Sequence, residues 1–200
     1  MSARFIIFDT ETSGLPAMKG YGLWPPATDS AAWSRARLLE LAWVALDQDL
    51  VEVSRASFLI KPAAGVRIEE HGGMAINGLS RKLLESDGIE LRDALTCFLN
   101  ALESNPTLVA HNIGFDIGVM ASEMHRLGMD GNRLYALPQF CTMEFGKPIT
   151  ALYRGPYLKN PKLSELCAYF GVSHRDAHRA MGDVEACLGC FLKMHTKAVV

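Results

Sequence analysis

The sequence predicts an α/β fold with a mixed central sheet, and two features of the chain lead to this prediction. Three strand-like segments come first, and helical and strand-like segments then alternate through the remainder of the chain. That order is typical of a sheet covered by helices. The chain has 200 residues, within the roughly 100–200 residues of an ordinary domain. Because no stretch resembles a linker, we expect residues 1–200 to form a single domain.

The three leading segments are expected to pair as an antiparallel meander. Residues 4–8 are a short apolar run that stops at acidic residues, which is typical of a buried strand. Residues 38–46 and 53–60 are two further strand candidates. The sequence Asp-Gln-Asp at 47–49 separates them and favours a tight turn.

The stretch 15–36 is an irregular insertion directly after the first strand, and it contains Trp24 and Trp33. In one interpretation, the insertion is a surface loop that packs both indoles against the body of the protein. In the other, it is a flap that contacts a base or a partner, since long loops beside active sites often carry function. Packed and exposed loop tryptophans look alike in sequence, so both interpretations stand.

The rest of the chain alternates between helical and strand-like segments. Apolar residues at helical spacing between 89 and 102 predict a helix there, and Gly128 is a suitable C-terminal cap for a later one. In order, we predict a loop with a short helix at 65–80, a helix at 89–102, a strand at 107–110, a helix at 114–127, a strand at 137–142, a loop at 154–162 and helices at 163–170 and 176–194.

Composition narrows the class of protein. The chain is 49% hydrophobic with a net charge of −2, which argues against a protein that coats nucleic acid through many phosphate contacts. Its first apolar run is far shorter than the ~20 residues of a membrane span, and no secretory signal is recognisable. The five cysteines are odd in number and scattered, which fits reduced thiols. We expect a cytoplasmic protein with no membrane partner.

Two carboxylates at the end of the first strand are the first candidate site. Asp9 and Glu11 are two residues apart, so in a strand both side chains project from the same face. Carboxylates placed in this way repel one another unless a cation lies between them. The alternative is a strand that simply ends in solvated turn residues, and the spacing alone does not decide between the two.

A histidine five positions before an aspartate, with four residues between them, is the second candidate feature, but this spacing occurs three times. The pairs are His111/Asp116, His125/Asp130 and His178/Asp183. Asp116 opens a predicted helix, where the helix dipole favours a carboxylate for structural reasons alone. Asp183 lies about one and a half turns beyond His178, so only a loop or bend can bring the two to one site.

A zinc site is a further alternative. His174 and His178 are four residues apart, and Cys187 and Cys190 form a C-x-x-C pair. A structural zinc site would need a second pair at ligand spacing, and thiols on an apolar helix are more often small core residues. We favour core thiols.

Three segments in this order resemble the histidine variant of the DEDD exonuclease superfamily, which includes the proofreading epsilon subunit, ribonuclease T, oligoribonuclease and exonuclease X. They are FIIFDTETSG, VAHNIGFDIGVM and HRAMGDVEA. The similarity extends from Phe5 to about Cys190. Arg179 stands where the tyrosine variant has its tyrosine, and the chain departs from the family in its long 15–36 insertion and in Ser13, where threonine is common.

The resemblance implies a ribonuclease H-like fold with a five-stranded mixed sheet flanked by helices. It also implies a two-metal-ion 3′→5′ exonuclease that releases 5′-mononucleotides and uses two divalent cations, Mg²⁺ or Mn²⁺. By resemblance, the metal ligands are Asp9, Glu11, Asp116 and Asp183, and the general base is His178. The substrate-binding positions that it implies or suggests are Thr12, Ser13, Leu15, His111, Asn112 and Phe115. Lys159 and Lys162 are either phosphate contacts or ordinary solvated side chains.

The expected partner is a nucleic acid with a free 3′ end. We favour single-stranded DNA because the first and last motifs are similar to those of the epsilon subunit. No residue recognisably reads a 2′-hydroxyl, so an exoribonuclease is an alternative, and so is a non-catalytic module that binds 3′ ends or a polymerase. Whether a polymerase or a second copy of the chain is a partner stays open.

Overall fold

A computed structural model describes residues 2–18, 20, 23–63 and 77–197. Its strands are β1 (Phe5–Thr12), β2 (Leu38–Leu46), β3 (Glu52–Leu59), β4 (Thr107–Ala110), β5 (Gln139–Cys141), β6 (Tyr153–Arg154) and β7 (Tyr157–Leu158). Its helices are α1 (Arg81–Asp87), α2 (Leu91–Ala101), α3 (Ile113–Arg126), α4 (Asn132–Ala136), α5 (Thr142–Thr150), α6 (Leu163–Phe170) and α7 (Ala180–Lys197). None of these described helices combines the length and apolarity needed to cross a bilayer.

The central sheet has five strands in the order β3-β2-β1-β4-β5. The neighbours β1, β2 and β3 are antiparallel, as predicted for the meander, whereas β4 and β5 run parallel to β1 and to each other. The predicted mixed five-stranded sheet is therefore confirmed. Because β1 and β4 are parallel, their carboxyl ends meet at one edge of the sheet.

Helices cover both faces of the sheet, and β1 shows why. Ile6 and Phe8 belong to a core cluster that contains residues of α2 and α3, and the rings of Phe8 and Phe98 lie 5.4 Å apart. Ile7, on the opposite face, packs in a second cluster with Val184 and other residues of α7. Alternate side chains of a strand point to opposite faces, so β1 is buried on both sides, as its continuous apolar run predicted.

The structure differs from the sequence prediction in several helices. The helices α1, α4 and α5 were not predicted, and α5 contains Gly146 and Pro148, which both disfavour helix in isolation. Gly146 packs closely on α6, because a Cβ there would lie 2.8 Å from a methyl carbon of Leu166. Tertiary contacts thus outweigh local propensity. The loop predicted at 154–162 contains the small hairpin β6–β7, and most of the stretch predicted at 65–80 lies outside the described residues.

The last helix begins at Ala180 rather than at 176. Asp176 and His178 have backbone φ angles of 52° and 67°, in the left-handed region that cannot continue a right-handed helix. Residues 176–179 therefore form a turn before the helix instead of its first turn, and His178 lies in that turn.

The described part of the 15–36 insertion is packed into the protein rather than extended from it. Trp33 is fully buried, and its indole N–H donates to the carbonyl oxygens of Pro25 and Pro26 at 3.2 Å. The ring lies against Gly118 of α3, where a Cβ would come within 2.5 Å of it. Trp24 packs on Phe115, with 5.1 Å between ring centroids. Of the two interpretations, the structure favours packed indoles.

We expect the Trp33→Ala variant to lose about 3–5 kcal/mol of unfolding free energy, the usual cost of removing a large buried aromatic side chain. Leu23→Ala is the matched control, since Leu23 lies in the same insertion with 67% of its side chain exposed, and such surface changes stay within about 0.5 kcal/mol. Urea denaturation measures both. Equal losses for the two variants would contradict the packing role of Trp33.

Candidate active site

Three carboxylates from two elements meet at the end of β1. Asp9 and Glu11 lie on the face of β1 that α7 covers, and Asp183 lies in the first turn of α7. One carboxylate oxygen from each residue lies within 4.8 Å of the others. All three side chains are partly buried. The sequence placed the first two together by strand periodicity, and the packing of α7 on β1 adds the third.

Asp116 approaches the same end of β1 from α3. Because β4 is parallel to β1, the chain leaving β4 starts α3 at this edge, and Asp116 lies in its first turn. The backbone N–H and the hydroxyl of Thr10 donate to Asp116 Oδ1 at 3.1 and 2.7 Å. Asp116 is 3% exposed. It lies outside the group of three carboxylates, although its charge acts on Asp9.

Burial and mutual repulsion oppose ionisation in this cluster. Burial, followed by the charges of Asp116, Asp183 and Glu11, raises the pKa of Asp9 well above its usual value. Burial is also the main cause that raises the pKa of Glu11 and that of Asp116 to about 7. A cation between the carboxylates would relieve both effects. A donor set made of oxygen atoms alone fits Mg²⁺ or Mn²⁺.

Asn77, which lies outside the three sequence motifs, is hydrogen-bonded to Glu11. Its side-chain Nδ2 donates to Glu11 Oε2 and to the carbonyl oxygen of Thr12, both at 3.4 Å. Its Oδ1 accepts from the backbone N–H of Leu79 at 3.1 Å, so the amide orientation is fixed. The sequence analysis did not identify this residue as part of the site, because it lies in the stretch predicted at 65–80 as a loop with a short helix.

An ion pair between the exposed Arg179 and the buried Glu40 anchors the turn that carries His178. Arg179 donates through two guanidinium nitrogens to the carboxylate of Glu40, at 3.0 Å each. The backbone N–H of Ala180 adds a third bond to Glu40 at 3.3 Å. Glu40 is only 3% exposed and lies opposite Glu11 in the β1–β2 register. The start of α7 is thereby tied to the sheet, while the His178 side chain itself is exposed.

His174 contacts the cluster directly and was not among the predicted site residues. Its Nε2–H donates to Asp183 Oδ1 at 2.6 Å. Gly182 makes room for the turn on this side, because a Cβ there would lie 2.4 Å from the carbonyl oxygen of Asp176. The four-residue spacing of His174 and His178 was visible in the sequence, but it suggested zinc rather than a hydrogen bond to Asp183.

The second motif forms a wall beside the cluster. The Nε2–H of His111 donates to the carbonyl oxygen of Pro161 at 3.1 Å, and Nδ1 is hydrogen-bonded to Thr142 Oγ1 at 3.0 Å. Burial lowers the pKa of His111 to about 4, so the ring is neutral. Asn112 caps α3 with a left-handed backbone, and Phe115 packs on the insertion.

The turn after β1 is held by its own hydroxyl groups. Thr12 Oγ1 donates to the carbonyl oxygen of Gly14 at 2.8 Å. Ser13 Oγ donates to the carbonyl oxygen of Arg35 at 2.8 Å and accepts from the N–H of Arg37 at 3.0 Å. Leu15 follows with 65% of its side chain exposed. These contacts fix the turn and leave the Leu15 side chain facing solvent.

The zinc alternative receives no support from the described residues. Among them, the carboxylate group at the end of β1 is the one set of three or more His, Cys, Asp or Glu side chains whose geometry suits a metal ion. Cys187 and Cys190 are buried, and Cys190 Sγ lies 3.6 Å from Cys167 Sγ in a core between α6 and α7. Core thiols are therefore the better description.

The sequence matches a known protein family over nearly its whole length. The family model described as "Exonuclease" covers residues 6–191. That range begins in β1 and ends in α7, so it includes all four carboxylates described above.

Individual relatives share about a quarter of their aligned residues with this chain. The chain is 27% identical over 188 residues to a DNA polymerase III PolC-type protein of Halalkalibacterium halodurans and 27% identical over 183 residues to the DNA polymerase III subunit epsilon of Buchnera aphidicola. It is 24% identical over 196 residues to the 3′-5′ exonuclease DinG of Bacillus subtilis. These alignments cover 93%, 90% and 97% of this chain, but 11%, 68% and 18% of the relatives.

Solved structures share the fold. The structure of Escherichia coli exonuclease I in complex with a dT13 oligonucleotide superposes with a TM-score of 0.74 at 18% identity, over 100% of this chain and 42% of that one. A zinc-bound form of the same enzyme with single-stranded DNA gives 0.76 at 19% identity, over 98% and 41%. The ribonuclease H-like architecture expected from the sequence is thus confirmed.

We expect Asp9→Asn to stabilise the protein when divalent cations are chelated. The folded-state pKa of Asp9 is raised, so the folded protein binds its proton more tightly than the unfolded chain does. The penalty for ionised Asp9 is present at pH 8 and disappears below the unfolded pKa of about 3.9. The melting temperature in EDTA should rise at pH 8, by about 2–4 °C for each kcal/mol relieved, and the gain should shrink as the pH falls.

Asp49→Asn is a control for charge removal away from the site, because Asp49 is exposed in the turn between β2 and β3. A gain for Asp9→Asn that stayed constant across this pH range would contradict the electrostatic explanation.

Proposed function

The chain belongs to the exonuclease family, and from this premise we propose that it is a metal-dependent 3′→5′ exonuclease that releases 5′-mononucleotides, preferentially from single-stranded DNA. One observation carries the proposal: Asp9, Glu11 and Asp183 place their oxygens within 4.8 Å of one another, with Asp116 beside them at the same strand end. Within this family, residues 1–200 would act as one exonuclease domain.

Four carboxylates would hold two divalent cations, Mg²⁺ or Mn²⁺. The clustered residues Asp9, Glu11 and Asp183 are the core of this ligand set, and Asp116 would complete it from the α3 side. When bound, the two cations would supply the positive charge that stabilises the attacking and departing oxygens of an in-line displacement at phosphorus. The raised pKa values of Glu11 and Asp116 support this assignment, because they indicate a cluster short of positive charge.

His178 would accept a proton from the attacking water. Its imidazole is exposed in the turn before α7, where solvent and substrate can reach it, and histidine is the side chain used most often for such a transfer. The Arg179–Glu40 ion pair next to it would keep this turn in place. His174 would act as a positioning residue, since its bond to Asp183 Oδ1 fixes the orientation of that carboxylate.

The strand end would also be held by contacts outside the carboxylate cluster. Leu15 is exposed next to the β1 turn and would pack beneath the terminal base, while Thr12 and Ser13 shape that turn. His111, Asn112 and Phe115 would form the opposite wall.

DNA is the favoured substrate because two relatives are named as DNA polymerase III proteins and the similar exonuclease I structures contain DNA. Hydrolysis of RNA, the alternative substrate, would use the same four carboxylates. The experiment below distinguishes the two substrates.

The direct test uses purified protein with Mg²⁺ or Mn²⁺ and 5′-labelled oligonucleotides of DNA and RNA, single- or double-stranded, with free or blocked 3′ ends. We expect a ladder that shortens from free 3′ ends, fastest on single-stranded DNA, and that EDTA and Asp9→Ala both abolish. Asp9→Ala should still fold, because it removes one of several repelling charges. Unimpaired cleavage by this variant would refute the metal assignment, and a faster RNA ladder would make the protein an exoribonuclease.

The two histidines that precede α7, His174 and His178, should differ in their effects. His178→Ala is expected to lower kcat by roughly 10²–10⁴-fold, as for a lost general base, with little change in the Mg²⁺ concentration needed for half-maximal rate. His174→Ala should instead raise that Mg²⁺ concentration by about 10-fold or more, as for loss of a group that orients a metal ligand. Steady-state rates across a Mg²⁺ titration separate the two. If His174→Ala alone reduced kcat at saturating Mg²⁺, the roles would be reversed.

A further inference from the structure

The small hairpin β6–β7 is exposed, aromatic and basic, and the functions assigned above do not use it. We propose that it is an upstream binding surface for single-stranded nucleic acid, which holds the strand several nucleotides before the 3′ end. This inference rests on the proposed function, and it assigns to that function a second contact with its substrate.

The charge of the surrounding segment is unlike that of the rest of the chain. Residues 145–164 contain Lys147, Arg154, Lys159 and Lys162 but no aspartate or glutamate. The whole chain, in contrast, has a net charge of −2. A local excess of cations in an otherwise slightly acidic protein complements a phosphate backbone. Lys159 is already paired with Glu165, so Arg154 is the better candidate for a phosphate contact.

The hairpin presents aromatic rings to solvent on both of its faces. Arg154 and Tyr157 are cross-strand partners in the β6–β7 register, so their side chains lie on the same face. Tyr153 pairs with Leu158 on the other face. Tyr157 is 77% exposed and Tyr153 is 66% exposed. Exposed rings of this size at the tip of a two-stranded hairpin contribute little to the core, and an exposed ring beside a guanidinium suits a base next to its phosphate.

The base of the hairpin is attached to the wall of the candidate active site. The backbone N–H of Lys159 donates to the carbonyl oxygen of Leu152 at 2.9 Å and closes the hairpin. Two residues later, the carbonyl oxygen of Pro161 accepts from His111 Nε2 at 3.1 Å. His111 lies just before α3, the helix that carries Asp116. The negative charge of Asp183 acts to raise the pKa of His111. The base of the hairpin thus lies beside the carboxylates, and a strand whose 3′ end is held there would continue over the hairpin if it left the site on this side.

Single-stranded nucleic acid fits these observations better than an acidic protein segment does. A protein partner would account for the cations alone, whereas alternating rings and cations are the pattern that binds successive bases and phosphates. Stacking on tyrosine also needs unpaired bases, which matches the preference for single strands proposed above.

Binding is tested in the Asp9→Ala background, which does not degrade the probe. Fluorescence anisotropy compares a trinucleotide with a thymidine oligonucleotide of about 12 nucleotides, a length that reaches beyond the active site. We expect the double substitution Arg154→Ala/Tyr157→Ala to weaken binding of the long probe by roughly 10-fold and to leave the trinucleotide unaffected. Arg154→Ala alone should reduce the slope of log Kd against log salt by about 1.

Tyr135→Ala is the matched control, because Tyr135 is also exposed, at 48%, but lies in α4 before the amino end of β5, away from the carboxylates. The kinetic counterpart uses otherwise wild-type protein, in which the double substitution should lower kcat/KM on the long probe and not on the trinucleotide. Equal affinity of all variants for the long probe would overturn the hairpin inference while cleavage by the wild type still upheld the proposed function. Absence of cleavage of either probe by the wild type would refute the proposed function itself.

Discussion

The organisation of this protein depends on one electrostatic constraint, the gathering of like-charged carboxylates at a partly buried strand end. Three of the four acids at this strand end accept a hydrogen bond from another part of the chain. Thr10 donates to Asp116, Asn77 to Glu11 and His174 to Asp183. Hydrogen bonds of this kind favour the charged form, but they do not offset burial, since the pKa values of Glu11 and Asp116 remain near 7. The remaining imbalance distinguishes the cluster from a solvated strand end and supports the proposed cation site.

A fifth carboxylate, that of Glu40, has a different environment, although it lies opposite Glu11 on the neighbouring strand. Its charge is neutralised within the protein by Arg179 and by the N–H of Ala180. Removing Arg179 would leave the buried Glu40 carboxylate without its cation, which is strongly unfavourable. The pair therefore joins α7 to the sheet at the point where orientation matters, one residue after His178 and four before Asp183. The same strand end thus contains one acid, Glu40, whose charge is balanced within the protein, and a cluster of acids whose charges are not.

The sequence predicted what depends on local pattern and missed what depends on distant contacts. Strand periodicity placed Asp9 and Glu11 on one face, and the bounds of β2, β4 and α6 agree with the predicted ranges. The order of the three motifs predicted that Asp116 and Asp183 belong to the same site as this pair.

The features that the sequence did not predict depend on contacts between distant parts of the chain. Asn77 and His174 contact the cluster from outside the motifs, so no spacing rule connects them to it. The helix α5 forms despite Gly146 and Pro148 because Leu166 packs against it, and α7 starts late because Asp176 and His178 adopt left-handed backbones. These outcomes are set by packing, which local propensity does not contain.

The contact between Trp33 and Gly118 has an evolutionary consequence. The indole occupies the space that a side chain at position 118 would fill, so the insertion and the helix α3 cannot diversify independently. A descendant that lost the tryptophan would free position 118 for alanine or a larger residue, whereas one that gained a side chain at 118 first would expel the ring. Because α3 also carries Asp116, covariation between these two positions would connect the history of the insertion to that of the helix beside the carboxylate cluster.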